Sequence, residues 1–394
     1  MKETKFKNTE IGRIPEEWET CTILSQSNKL VVAFVGTCEK YYTNKGEGVM
    51  MLRTGDLKER SIDYTNIKYI SYSFHNANKK SQLKKGDILI ARHGSNGHGV
   101  IYDKNDEANS LNFVIVHLID NEYLNSYLVY CLDTNIVREQ IEVATAGSTQ
   151  KVINTKAIGE LIVPKPNILE QQRIASALTS IDNLISSLDK LIEKKKNIKQ
   201  GTMQQLLTGQ IRLKGFSEPW GEKKLEEVCS VKRGVRVVKR NLTTDGLYPV
   251  YQNTNFPLGY SNQYNVEANT PFVIIGGSAG QVGICRERYW AADDCAFFAC
   301  HDIYKEYLYY VLLLNQSNIL HNVRTGTIPR LDRSFLSNMV VYISLNIDEQ
   351  QAIATILTKM DDEITALEAK RAKYEAIKQG MMQQLLTGKI RLIS

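Results

Sequence analysis

Long hydrophobic runs are missing from this 394-residue sequence. The longest apolar stretch, Tyr307 to Leu314, is a fraction of the roughly 20 residues that a membrane-spanning helix needs. Met1 to Glu10 is polar and lacks the apolar core of a secretory leader. The chain is therefore expected to have no membrane partner and to be cytoplasmic. Cysteine occurs seven times without any C-x-x-C, and Cys295 and Cys300 form the one close pair. An odd, scattered set predicts reduced thiols rather than a disulfide framework.

Signatures of catalysis are missing too. The glycine-rich stretch Gly276 to Gly283 has no Lys-Ser/Thr and so is not a Walker A loop. No G-x-G-x-x-G follows a strand-like run, and there is neither a G-x-S-x-G elbow nor an Asn-Pro-Pro-Tyr methyltransferase motif. His93 and His98 share a glycine-rich stretch, but no Cys or carboxylate joins them at metal-ligand spacing. Asp293-Asp294 is a lone acidic pair where a nuclease would want more. The chain is expected to be no enzyme, with no catalytic residues, no metal and no cofactor of its own.

What is present is a repeat. Glu170 to Leu213 aligns without a gap on Glu349 to Leu392, at an offset of 349 − 170 = 179, with about 25 of the 44 positions identical. A match of that length implies duplication. The correspondence continues upstream, more weakly. Gly147-Ser148 lies opposite Gly326-Thr327, Gly94-Ser95-Asn96-Gly97 opposite Gly277-Ser278-Ala279-Gly280, and Ile14-Pro15-Glu16-Glu17-Trp18 opposite Phe216-Ser217-Glu218-Pro219-Trp220. The first LLTGQIRL leads into KGFSEPW, and the second, LLTGKIRL, would continue naturally into the N-terminal KNTEIGRIPEEW. This circular pattern predicts termini that lie close together and units related by a pseudo-two-fold axis.

The copied segments carry a helical seam. Ile174, Leu178, Ile181, Ile185, Leu188 and Ile192 recur at alternating steps of four and three, as do Ile353, Leu357, Met360, Ile364 and Leu367. That is the heptad spacing of a coiled coil. The second copy then meets Arg371 and Tyr374, a softer end. Pro164 and Pro166 limit the first helix at its start, and Gly209 and Gly388 are natural stops. A helix with such a seam needs a partner, and the other copy, antiparallel, is the simplest one. Packing of each helix on its own domain is the alternative. Lys194-Lys195-Lys196 reads as a solvated face.

The segments before each helix mix strand-like runs (87–91, 112–118, 271–275, 339–343) with helix-like ones (123–135, 303–315), a mixed α/β composition. The chain therefore divides into a globular domain at 1–165, a helix at 166–210, a second globular domain at 211–345 and a second helix at 346–394. The helices are near copies and the globular domains have diverged, which predicts a shared frame carrying heads that recognise different things.

The net charge of +6 is a mild basic excess compatible with nucleic acid. Lys79, Lys80 and Lys84 flank Ser81-Gln82-Leu83. Arg233, Arg236, Lys239 and Arg240 fall in Val231 to Arg240, which has five basic residues and no acid. Cations of this kind neutralise phosphates. Base edges are read by Arg, Asn, Gln, Ser and Thr. The glycine-rich turns offer Arg92, His93, Ser95, Asn96 and His98 in the first unit, and Gln252, Asn253, Ser278, Gln281 and Arg286 in the second. For each one, an ordinary solvated position is the competing reading.

These features together resemble the specificity subunits of type I restriction–modification systems. The residues that carry the resemblance are Ile11-Gly12-x-Ile14-Pro15-x-x-Trp18, Gly215-Phe216-x-x-x-Trp220, the Glu-Gln-Gln starts at Glu170 and Glu349, the Gln-Gln-Leu-Leu-Thr-Gly endings at Gln204 and Gln383, and Gly86-Asp87-Ile88-Leu89-Ile90. The resemblance implies two target-recognition domains separated by two long antiparallel coiled-coil helices. It implies a DNA-binding subunit that reads a bipartite double-stranded target and directs methyltransferase subunits, two of them, and restriction/translocase subunits to it. S-adenosylmethionine, ATP and Mg would then belong to those partners. The second unit departs from the pattern, with Pro271-Phe272-Val273-Ile274-Ile275 set opposite Gly86 to Ile90. Two alternatives stand beside this expectation: a coiled-coil protein adaptor that does not read DNA, and a stand-alone DNA methyltransferase or nuclease.

Overall fold

A computed structural model describes residues 4–58, 60–93, 97–145, 152–238, 240 and 242–393. The chain forms two compact units, one of residues 1–187 and 371–394, the other of residues 188–370. Both long helices, Ile168–Leu207 and Ile347–Leu385, therefore contribute one half to each unit. These boundaries differ from the four consecutive segments read along the sequence, because contacts group each globular domain with the helix halves that pack on it.

The first long helix has 40 residues and the second 39, or about 60 Å each at ~1.5 Å per residue. Gly209 (φ +69°) and Gly388 (φ +68°) end them in the left-handed region, which only glycine enters without strain. Beyond each glycine the backbone N–H two residues on reaches six residues back, Ile211 to Gln205 O at 3.2 Å and Ile390 to Gln384 O at 3.1 Å. This closes the orphan carbonyls of the last turn.

In the first unit a four-stranded antiparallel sheet runs in the order Gly99–Ile101, Ile88–Ala91, Phe113–Leu118, Ser27–Val32. The second unit repeats it as Val282–Ile284, Pro271–Ile274, Cys295–Cys300, Cys229–Arg233. A second sheet in each unit contains one parallel pair, Gly48–Leu52 with Ala108–Ser110 and Tyr248–Tyr251 with Trp290–Ala291. Apart from His117, which bonds to Asp87 at 2.7 Å, the central strands are apolar because both of their faces are covered. Ile88 and Ile90 face the core that holds Tyr127, Leu128, Ile174 and Leu178, while Leu89 and Ala91 face Met50, Leu52 and Phe113. Val273 and Ile275 pack with Tyr307, Leu308, Ile353 and Leu357, while Phe272 and Ile274 pack with Tyr251 and Tyr289.

The strand Pro271–Ile274 corrects the alignment made from letters. Register and hydrogen bonding place Pro271 opposite Ile284 as Ile88 is opposite Ile101, and Asn269 N donates to Cys285 O as Gly86 N donates to Tyr102 O. Gly86-Asp87 is thus matched by Asn269-Thr270, two residues earlier than expected. Gly86 (φ +94°) and Asn269 (φ +58°) share the left-handed conformation. Asparagine is the residue that most readily replaces glycine there, so the turn survives while its letter changes.

The repeated letters fix the frame. At the start of the first long helix Glu170 is buried and accepts from Trp18 Nε1 (3.0 Å), Arg391 Nε (2.6 Å) and Arg391 Nη2 (2.8 Å). At the start of the second, Glu349 accepts from Trp220 Nε1 (3.0 Å), Arg212 Nε (2.6 Å) and Arg212 Nη2 (2.9 Å). Those hydrogen bonds hold both guanidiniums above their ordinary range. Gln171 Oε1 accepts from Leu124 N and Gln350 Oε1 from Tyr304 N, so the residue after the glutamate ties each helix to its globular domain.

Twelve residues further along the helix, Tyr130 OH donates to Asp182 Oδ2 (2.8 Å), and Lys378 Nζ pairs with Asp182 Oδ1 (2.5 Å). Tyr310 OH likewise donates to Asp361 Oδ2 (2.7 Å), and Lys199 Nζ pairs with Asp361 Oδ1 (2.5 Å). Burial first, and the neighbouring aspartate as well, push both phenols up. Within each unit the paired numbers rise on one helix as they fall on the other. Glu170 and Asp182 face Arg391 and Lys378; Lys195 and Lys199 face Glu363 and Asp361. The two helices are therefore antiparallel in both units, as the repeat predicted.

Ile174, Leu178, Ile181, Ile185, Leu188, Ile192, Ile353, Leu357 and Ile364 are buried, and Met360 and Leu367 are half-buried. Lys195 and Lys196 of the basic run are not merely solvated; they pair with Glu363 (2.6 Å) and Glu368 (2.7 Å). All seven cysteines are unbonded, and burial pushes the Cys131 and Cys229 thiols up to about 12.

Candidate nucleic-acid interface

In the second unit three loops meet beyond the ends of the central strands. The turn between Pro271–Ile274 and Val282–Ile284 is closed by Gly280 N donating to Ile274 O (2.7 Å) and Ile274 N donating to Gln281 O (2.9 Å). The loop after Tyr248–Tyr251 is stitched to it: Ser278 N donates to Asn253 O (2.9 Å), and Asn255 N donates to Gln281 Oε1 (3.4 Å). A hairpin closed by Arg324 and Arg330, whose backbones bond to each other, supplies Pro329 O to Gly277 N (3.2 Å). Gly277 permits this convergence. A Cβ on it would stand 2.8 Å from Asn253 Cβ, and its φ is +85°.

Asn253, Ser278 and Gln281, chosen from sequence, are thus brought together in one place. Gln252 is half-buried on the same loop. Arg330, which the sequence reading passed over, is bridged to Gly276 through the backbone and reaches Asp294 (3.5 Å). Arg324 was passed over as well. Their signal is Arg-Thr-Gly-Thr-Ile-Pro-Arg, two cations bracketing a turn around the Gly326 that aligns with Gly147.

Arg233 ends the strand Cys229–Arg233 and donates through Nε to Asp293 O (2.7 Å), which sets it beside Asp294. Arg236 and Arg240 are exposed, and Lys239 lies outside the described residues. Arg286 is placed differently from the rest. It pairs with Asp362 of the second long helix at 2.7 Å, on the frame side of the unit.

The first unit builds the same hairpin from other residues. Arg92 N donates to Asn112 O, Ile153 N donates to Arg92 O, and Arg92 Nε reaches Ile153 O at 3.4 Å. His93 is exposed, and Ser95 and Asn96 lie outside the described residues, as do Gly94 and the Gly147-Ser148 pair. His98 is partly exposed and sets Nδ1 against the largely enclosed carboxylate of Asp133, which Arg60 also contacts. A carboxylate therefore does join the histidine pair's neighbourhood, from a distant stretch that spacing could not reveal. Asp133 with Arg60 and Arg138 makes this a charge cluster, and no metal-competent group of three ligands occurs among the described residues. Lys79, Lys80 and Lys84 are exposed along the edge strand Gln82–Leu83.

This arrangement has cations and amide side chains on rigid turns, above strands buried on both faces. It suits contact with a polyanion whose edges present hydrogen-bonding groups. No helix among the described residues is long and apolar enough to cross a membrane.

Known proteins agree with that reading. A provisionally named type I restriction enzyme specificity subunit, MjaX of Methanocaldococcus jannaschii, is 26% identical over 99% of this chain and 98% of its own length. The MjaVIII specificity subunit of the same organism is 28% identical over 54% of this chain and 50% of its own. The crystal structure of a type I restriction–modification S subunit from M. genitalium shares the fold with a TM-score of 0.71, at 20% identity, over 93% of this chain and 96% of that one. A chain from a structure of type I restriction–modification complex assembly shares it at a TM-score of 0.52 and 12% identity, over 96% of this chain and 99% of that one. None of these relatives supports the protein adaptor or the stand-alone enzyme. The sequence model described as type I restriction modification DNA specificity domain matches twice, over residues 5–200 and 217–379, once per copy of the repeat, and the chain belongs to that family.

Proposed function

We propose that this chain reads a bipartite double-stranded DNA target, one half-site per globular unit, and directs methyltransferase and restriction subunits to it. The observation that supports this best is the contrast between frame and heads. The Trp–Glu–Arg latch and the Tyr–Asp–Lys bond recur residue for residue in both units, whereas the loops over the central strands have diverged: Arg92, His93, Asn96 and His98 align with Ile275, Gly276, Ala279 and Gln281, and Ser95 with Ser278 is a shared polar position. Evolution of a shared docking frame under two different readers leaves that pattern. The candidate contacts are those placed on these loops and edges, with Arg233, Arg324 and Arg330 supplying phosphate or base contacts in the second unit.

In this reading two methyltransferase subunits dock on the repeated frame, one per copy. Methylation with S-adenosylmethionine and cleavage with ATP and Mg are the partners' chemistry, and the complex works in the cytoplasm, where the genomic DNA is. The long helices act as a ruler. Half-sites on one face of DNA recur about every 34 Å, a distance that helices of ~60 Å can bridge. The decisive experiment is genome-wide methylation mapping with this chain expressed beside its methyltransferase. A two-part motif should appear with the chain and vanish without it. Insertion of four residues, about one turn, at matched points in both helices should lengthen the spacer between the two parts; an unchanged spacer refutes the ruler.

A further inference from the structure

The second unit exposes an aromatic ring that neither the fold nor the frame uses. Phe256 leaves 74% of its surface to solvent, on the loop between Tyr248–Tyr251 and Gly259–Ser261. A floppy loop would be free to tuck such a ring away. This loop is held instead. Thr254 Oγ1 donates to Phe256 O (2.9 Å) and lies 3.3 Å from Phe256 N, which donates to it. Leu258 N donates to Val250 O (2.8 Å) on the far side, and Asn253 and Asn255 are tied to the 276–281 turn as described. Asn255 Oδ1 is enclosed without a hydrogen-bond partner among the described residues. A second apolar tip, Ile328, stands 56% exposed on the Arg324–Arg330 hairpin that abuts the same turn. The segment after the matching strand of the first unit, residues 53–56, has no aromatic; Arg53 and Asp56 pair there at 2.7 Å.

We propose that Phe256 is a wedge that stacks into one base step of the half-site read by the second unit. This rests on the DNA-reading function proposed above. Apolar side chains inserted between base pairs unstack a step and are offset by the stacking and extra contact they gain. Fixing the ring beforehand removes the entropy that ordering it on binding would cost. Arg330 on the neighbouring hairpin supplies a cation for the phosphate beside the opened step. The matching segment of the first unit, residues 53–56, carries no ring, so the proposed wedge belongs to the second half-site. Pyrimidine–purine steps unstack most readily, and the wedge accordingly selects one of these at its position.

The test uses the full chain assembled with its methyltransferase on a duplex carrying the mapped motif. 2-Aminopurine is substituted in turn at positions of each half-site other than the methylated base. With the wild-type chain, fluorescence should rise at one step of one half-site. With Phe256→Ala the rise should vanish, and affinity for the motif should fall about tenfold, the scale of one base–aromatic stack, while affinity for unrelated duplex is unchanged. Thr254→Val, which keeps the ring and frees the loop, should give an intermediate loss. A specific complex in which no step brightens, or one that brightens equally with Phe256→Ala, overturns the wedge and leaves the DNA-reading function standing. Loss of methyltransferase assembly in Phe256→Ala with unaltered DNA signals would assign the ring to a protein contact and overturn it too. Absence of sequence-specific binding by the wild-type complex overturns both.

Discussion

Glu170 and Glu349 show what a single conserved-looking letter does in this protein. Each is a carboxylate with almost no solvent exposure, and each is held by a tryptophan N–H and a two-pronged arginine. The pair is tolerable in the interior only because both charges are matched and hydrogen-bonded. Removing one partner leaves the other charge buried, at a cost of ~3–5 kcal/mol for fully enclosed pairs. Arg391 is 6% exposed and Arg212 30%. Glu170→Ala should therefore destabilise its unit more than Glu349→Ala destabilises the other. Hydrogen exchange followed peptide by peptide after each substitution tests this; equal loss of protection in the two units would show that the arginine's exposure does not set the strength of the latch.

At the scale of the element, the heptad pattern located the seam, and the structure graded it. Leu357 is fully buried in the core of its unit, whereas Leu367 of the same stripe is half-buried. Leu357→Ala should cost about 2–5 kcal/mol, the usual range for truncating a core leucine. Leu367→Ala should cost about 1 kcal/mol or less, since less apolar area is withdrawn from water there. Chemical denaturation of the two variants gives the comparison, and similar midpoints would mean the seam packs uniformly. The sequence made this stripe legible because a period of 3.5 survives any change of neighbours. It could not show the aspartates Asp182 and Asp361 as fixed points, because their tyrosine and lysine partners lie tens to hundreds of residues away. The glycine turns were legible as turns, yet Arg324 and Arg330 were not seen to join one of them, since the bond from Gly277 to Pro329 is a tertiary event.

At the scale of the whole molecule, stretches far apart in sequence do in one unit what neighbours do in the other. In the second unit Arg212 and Trp220, eight residues apart, converge on Glu349. In the first the same convergence on Glu170 is made by Trp18 and Arg391, from opposite ends of the sequence. Gly388 lies so near Pro15 that a Cβ would stand 2.3 Å from its ring. A circular permutant that joins residue 393 to residue 5 through a short linker and opens between residues 214 and 217 should fold and direct the same methylation. An unfolded permutant, or one with an altered motif, would show that the existing order of the chain matters beyond connectivity.

The sequence by itself determined the duplication, the seam, the helix stops and the division into shared frame and different heads. These are periodic or copied features, and periodicity and identity are properties of the order of residues alone. Only the tertiary structure decided where His98 and Arg286 point, that Asn269 stands in for Gly86, which loops meet around Gly277, and that Phe256 is held outward. Each depends on which distant backbone comes within hydrogen-bonding range, and that is set by how the sheets and helix halves pack. The duplication met first as matching letters is, in three dimensions, the same latch built twice: once from neighbouring residues, and once from the two ends of the chain.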